Sequence, residues 1–196
     1  MNYKEGAEMK RLTITFLFLA VGINVYAQAF AWDIKFLKED SQESVPVSQI
    51  IRMNTGDKFE FSILSDINVF CYVVLYDSQR QVFVLSNQQL TGKETVNFGP
   101  FMLTEPVGTE TIYVIMSTER QRNLETSIRN FSNSGSRQNA NNVHREVVSL
   151  QNRASRLGEP ASSYIPSGGT TRSASLQHIT RFSGKNLYVR AITIRH

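Results

Sequence analysis

The clearest pattern in the chain runs from Gly56 to Asp77. Phe59, Phe61 and Ile63 alternate with Lys58, Glu60 and Ser62, the period of two expected of a strand with one wet face. After the polar break Ser65-Asp66-Ile67-Asn68, every position from Val69 to Tyr76 is apolar or aromatic. A run of that length between turn residues predicts a strand covered on both faces. Upstream, Trp32-Asp33-Ile34-Lys35-Phe36 alternates in the same way, and Val45-Pro46-Val47 and Ile50-Ile51 are short extended segments. Pro46 belongs at an edge or a strand start, because it has no N–H for a ladder.

Downstream, Ser78-Gln79-Arg80-Gln81 turns the chain into Val82-Phe83-Val84-Leu85, and Ser86 to Gly92 reads as loop. Glu94 to Leu103 predicts one or two short strands broken at Gly99-Pro100, and Thr111 to Ser117 predicts another. Strands recurring between turn signals about every ten residues indicate a β-sandwich or barrel. The expected fold is mainly β: a single antiparallel β-sandwich of immunoglobulin-like type, with a helical insertion before the last strand.

That insertion is expected at about 119–183. Leu124, Ile128 and Phe131 fall at helical spacing, and Ser132 to Asn142 is polar and reads as loop. Val143, Val147, Leu150, Ala154 and Leu157 then form one narrow apolar stripe, a helix that packs on its own sheet. Glu159 to Ser175 reads as flexible loop, and Asn186 to Arg195 as a closing strand whose apolar phase shifts near Ala191, the sign of a bulge.

The N-terminal pattern is of another kind. Lys10-Arg11 precedes an apolar run from Leu12 to Val25, and small residues follow at Ala27 and Ala29. This is the layout of an export signal, and the run is too short for a comfortable membrane span. The expected organisation is therefore a signal peptide over residues 1–27 and one β-sandwich domain over 28–196, exported to a periplasmic or external compartment.

The segments Gly56-Asp57-x-Phe59-x-Phe61, Ser65-Asp66, Phe70-x-Tyr72-Val73-Val74-Leu75 and Pro106-x-Gly108-x-Glu110-x-Ile112 resemble the bacterial family known as domain of unknown function 4384. The resemblance spans Val45 to Thr118 and departs from the family at Val84-Leu85-Ser86-Asn87, which lacks the family's proline. It implies a small extracytoplasmic β-sandwich of the kind attached to peptidase-like, kinase or lipoprotein modules, and it transfers no catalytic residue.

Composition adds a charge asymmetry. The 196 residues are 41% hydrophobic and 19% charged, with a net charge of +4. Residues 28–118 hold six Lys/Arg against eleven Asp/Glu, whereas 119–196 hold twelve against four, eleven of the twelve being arginine. The second half should attract an anionic surface or the chain's own acidic half. Arginine favours planar carboxylate and phosphate groups, and Arg145, Arg153 and Arg156 lie off the apolar stripe of the second helix. They are the candidate residues for an anionic partner, another envelope protein or an anionic envelope surface. Export argues against nucleic acid, and aromatic interleaving is sparse.

Other chemistry is thinly represented. Cys71, the one cysteine, sits in the most apolar strand and is expected to act as a small hydrophobe. His144, His178 and His196 have no metal-ligand spacing with one another, with Cys71 or with a carboxylate. Ser167-Gly168-Gly169-Thr170-Thr171 lacks the strand and lysine of a phosphate-binding loop. Asp66 and Asn68 suit a turn better than calcium. No catalytic, cofactor or metal site is expected. The reading is a non-enzymatic module for binding or assembly. The alternatives are a glycan-recognition domain, for which Tyr113, Tyr188 and Phe98 are the available aromatics, and a hydrolase whose site the pattern does not reveal.

Overall fold

The computed structural model describes residues 29–39, 43–157, 162–167 and 177–196; the expected signal peptide and the 168–171 loop lie outside them. The expected β-sandwich forms, and it carries a third layer. The strands are β1 (Ala29–Lys38), β2 (Glu43–Val45), β3 (Ile51–Arg52), β4 (Lys58–Ser65), β5 (Val69–Tyr76), β6 (Val82–Leu90), β7 (Thr95–Met102), β8 (Thr109–Ser117), β9 (Ser162–Ser167), β10 (Gln177–Lys185) and β11 (Leu187–Arg195). Helices α1 (Arg122–Ser134) and α2 (Arg137–Arg156) separate β8 from β9. One sheet has the order β7-β4-β1-β10-β9, with β2 also paired to β1, and the other has β3-β11-β8-β5-β6. Every pairing is antiparallel except the two-residue β3, which runs parallel to β11.

The strict alternation of β1 and β4 reflects a sheet buried on one face: Trp32, Ile34, Phe36, Phe59, Phe61 and Ile63 all point into the space between the sheets. The unbroken apolar run of β5 has the cause expected of it. Val69, Cys71, Val73 and Leu75 face the opposite sheet, while Tyr72 and Val74 face the helices. The second sheet is thus the middle layer. Phe59 and Phe61 therefore belong to a different core from Phe70 and Tyr72, although the strands that carry them are joined by a short turn. Phe70 and Tyr72 lie on the other face of β5 and pack with Leu124, Ile128, Val143, Val147 and Leu150.

Local polarity misleads at several other places. Ser86 to Leu90, expected as loop, continues β6; Ser86 is buried and its Oγ donates to Cys71 O at 3.4 Å. Gly99-Pro100 does not break β7 but accommodates a register shift against Phe59 and Phe61. Gly99 sits at φ 109°, and a Cβ there would lie 3.0 Å from Phe59 O, so glycine fits both backbone and space. Within Ser132–Asn142, only Gly135 and Ser136 are non-helical. Gly135 closes α1 at φ 60° with its N–H on Phe131 O, and the Ser136 side chain caps α2 by accepting from Asn139 N at 3.3 Å.

The stripe on α2 packs on its own sheet through Val143, Val147 and Leu150, while Leu157 lies beyond the helix and is exposed. Ser162–Ser167, expected as loop, pairs with β10, and β10 itself was not anticipated. The insertion before the final strands is therefore helical over α1 and α2 alone. No bulge occurs at Ala191, because β11 pairs with β8 without a register shift from Leu187 to Arg195. The apparent phase change comes from Arg190, which lies over the Phe182 ring at 5.5 Å and donates to Val47 O at 3.2 Å.

Candidate functional site

The helical layer is anchored to the middle sheet by a polar network. Tyr72 donates its hydroxyl to Glu125 Oε1 at 2.8 Å and accepts from Gln121 N at 2.9 Å. Gln121 Nε2 donates to Ser117 Oγ at 2.8 Å and to Glu119 O at 3.0 Å. Arg120 grips Glu125 through Nε and Nη2, the latter at 2.7 Å from Oε2. The Arg120 hydrogen bonds are the main reason that the Glu125 carboxyl lies below its ordinary range, with burial opposing them. Burial is also what lifts the Tyr72 hydroxyl far above the usual tyrosine range.

This network sits between two clefts. One, of about 360 Å³, lies between β6 and α1 and is lined by Phe70, Asn87, Gln89, Arg120 and Arg129. The other, of about 410 Å³, lies where α1 begins and α2 ends, and includes Arg122, Arg153, Glu146 and Asn186. A third cleft, of about 230 Å³, opens between β6 and β7 beside Phe83, Leu85, Phe101 and Met102, with Asp77, Glu105 and Glu110 at its rim.

The three arginines singled out from sequence do not form one constellation. Arg145 is exposed, with Nη2 on Asn142 Oδ1 at 3.0 Å, and Arg156 is exposed eleven residues on, about 16 Å along the axis. Arg153 instead turns toward α1 and donates to Gln121 Oε1. The wider signal is the whole layer. Residues 119–157 contain seven arginines and three glutamates. Among the described residues, only Arg120 of the seven has a carboxylate within 4.0 Å. The acidic half finds its partners elsewhere, in Lys58–Glu39, Arg181–Asp33 and His196–Glu110.

The remaining candidates resolve into structural contacts. Asp66 Oδ1 accepts from Ala31 N at 2.9 Å and Asn68 Oδ1 from Gly92 N at 2.7 Å, so these oxygens tie distant segments rather than their own turn. Among the described residues, no group of three or more His, Cys, Asp or Glu is placed to hold a metal. Cys71 is fully buried and its thiol is pushed up to about 12 by that burial. His144 packs its ring 4.7 Å from that of Tyr76, and His178 N donates to Ser44 Oγ.

Sequence reasoning passed over one grouping. The His196 ring is buried, with Nδ1 3.3 Å from Thr55 Oγ1 and Nε2 3.6 Å from Glu110 Oε1. Its order resembles a hydrolytic triad, but the contacts are long and the three clefts do not open onto Thr55 or His196. Backbone pairing of His196 with Gly108 in both directions makes it a tie between strand ends. The aromatic platform needed for a glycan site is absent at the residues named for it. Phe98 and Tyr188 are buried between the sheets, and Tyr113 packs beneath the helices.

Comparison with family models, with curated proteins and with solved structures finds no match. Among the described residues, no helix is long and apolar enough to cross a membrane.

Proposed function

We propose that this chain is an exported, non-enzymatic β-sandwich module of the bacterial cell envelope, which binds or assembles through its arginine-bearing helical layer. The partner is an anionic envelope surface or an acidic envelope protein, and the reading requires no cofactor. The observation that carries it is the state of the arginines: Arg122, Arg129, Arg137, Arg145 and Arg156 are all exposed, and none has a carboxylate within 4.0 Å among the described residues. Exposed ion pairs contribute only about 0–1 kcal/mol to folding, so folding has little use for this charge. An anionic surface engages several arginines at once. Export rests on Lys10-Arg11, the apolar run and Ala27. The resemblance to the family named above rests on the motif residues alone.

The test uses the protein recovered from the envelope fraction, whose intact mass on this reading lacks residues 1–27, or 1–29 for cleavage after Ala29. Its binding to vesicles containing phosphatidylglycerol should weaken with salt. The change of Arg145, Arg153 and Arg156 to Gln should weaken it further, with little effect on the unfolding midpoint. Full-length chain recovered from the cytoplasm sinks export. Vesicle binding indifferent to both salt and the triple change sinks the arginine surface.

A further inference from the structure

We propose that β6 is a docking edge, to which an extended segment of a partner protein adds as a further strand, with an apolar residue at one end and a carboxylate at the other. The inference rests on the reading of the chain as a binding module but places the contact on a different surface. β6 is last in its sheet, and among the described residues no strand lies beyond it. A terminal strand leaves alternate N–H and C=O groups unpaired, a ready template for another chain. Proteins usually blunt such edges with lysine, proline or an inward charge, or with a bulge or a covering element. Of the first three, the nine residues of β6, VFVLSNQQL, contain none. Its single irregularity is the register shift opposite Val73 and Val74, which makes Leu85 the extra residue.

The side chains flanking this edge define the occupant. Phe83, opposite Leu75, and Leu85 line the cleft between the sheets with Phe101 and Met102. Phe83 and Met102 are 44% and 57% exposed. Beyond the irregularity the facing changes. Asn87 and Gln89 lie opposite Tyr72 and Phe70, and they line the α1-side cleft with Arg120 and Arg129. Arg129 has no carboxylate within 4.0 Å among the described residues. A strand laid along β6 therefore meets the cleft of Phe83, Leu85, Phe101 and Met102, rimmed by Asp77, Glu105 and Glu110, at one end, and about 20 Å further on a cleft in which two guanidiniums, Arg120 and Arg129, face the single carboxylate of Glu125. The occupant that satisfies both is an extended segment alternating apolar and acidic residues. A second copy's β6 is uncharged and offers Arg129 nothing, which favours a different protein.

The test uses the whole mature chain and two synthetic peptides, one alternating valine with glutamate and one alternating valine with lysine. Fluorescence anisotropy measures binding, and hydrogen exchange locates it. The glutamate peptide should bind and slow exchange in β6, and the lysine peptide should do neither. Arg129→Gln and Phe83→Ser, both at exposed side chains, should each weaken binding by about tenfold. The triple change on α2 should leave it unaltered, which separates this inference from the vesicle test. The proposal is overturned if a saturating peptide leaves β6 exchange unchanged. It is also overturned if binding follows the α2 arginines instead of Arg129, or if β6 is already protected in a concentration-dependent dimer of the peptide-free chain.

Discussion

Tyr72→Phe tests whether the helical layer is an integral part of the fold. The substitution keeps the ring, so no cavity opens among Val74, Leu124 and Val147, and only the hydroxyl is lost. That hydroxyl donates to Glu125 at 2.8 Å and accepts from the Gln121 N–H at 2.9 Å. A hydrogen bond to a charged group is worth about 1.5–3 kcal/mol, and a buried donor left unmet costs about 1–3 kcal/mol. Glu125 keeps Arg120, so the first term falls at its low end, and the Gln121 N–H loses the Tyr72 oxygen that accepts from it. The expected loss is about 2.5–4.5 kcal/mol, or about 5–18 °C in Tm for a chain of this size. Trp32, the one tryptophan, is fully buried between the sheets, so its fluorescence reports the sandwich, while far-UV circular dichroism follows the helices. Urea unfolding should shift by the same amount with both probes. A loss below about 0.5 kcal/mol, the level of an ordinary surface substitution, would show that apolar packing alone holds the layer. A shift in the helical signal without one in the tryptophan signal would show that the layer unfolds independently.

Two further outcomes follow from the same contacts. Phe61 is buried and stacks on Phe98 at 4.8 Å, so Phe61→Ala should cost about 3–5 kcal/mol; an unchanged midpoint would refute the facing of β4. The two buried glutamates should titrate with opposite sign. Glu125, lowered chiefly by its Arg120 hydrogen bonds, contributes stability that is present above its ordinary value of 4.5 and lost as pH falls through its folded value. Glu110, raised chiefly by burial and further by Asp77 with His196 opposing, loses stability as pH rises from 4.5 through its folded value. Stability–pH profiles should therefore show Glu125→Gln flattening the acid decline and Glu110→Gln gaining on the parent as pH rises; a reversal of either sign rejects the corresponding environment.

The strands legible in sequence are those whose neighbours impose one simple pattern. β1 and β4 have one buried face and alternate, and β5 has two and does not. The segments misread are those whose polar residues are stabilised by partners far along the chain. Ser86 is buried against Cys71 and keeps β6 extended through Asn87, Gln88 and Gln89. Ser136 converts a polar stretch into a helix start, and the packing of Val143 and Val147 on the sheet supplies what local propensity lacks. Arg190 disguised a regular strand as a bulged one because its guanidinium finds Phe182 and Val47, both remote in sequence.

The candidate surface was legible as a charge but not as a place. Counting arginines located the basic half, and helical spacing put Arg145, Arg153 and Arg156 off the apolar stripe. Neither could reveal that Arg153, though exposed, is held by Gln121, or that Arg129 on the other helix lines a cleft. Those facts depend on how α1 lies against β6, which in turn is fixed by Tyr72 reaching Gln121 and Glu125 across about fifty residues of chain. The same tyrosine therefore links stability to binding. If the hydroxyl sets the position of α1, Tyr72→Phe should loosen the Arg129 side of the β6 edge while leaving Phe83 and the cleft between the sheets in place.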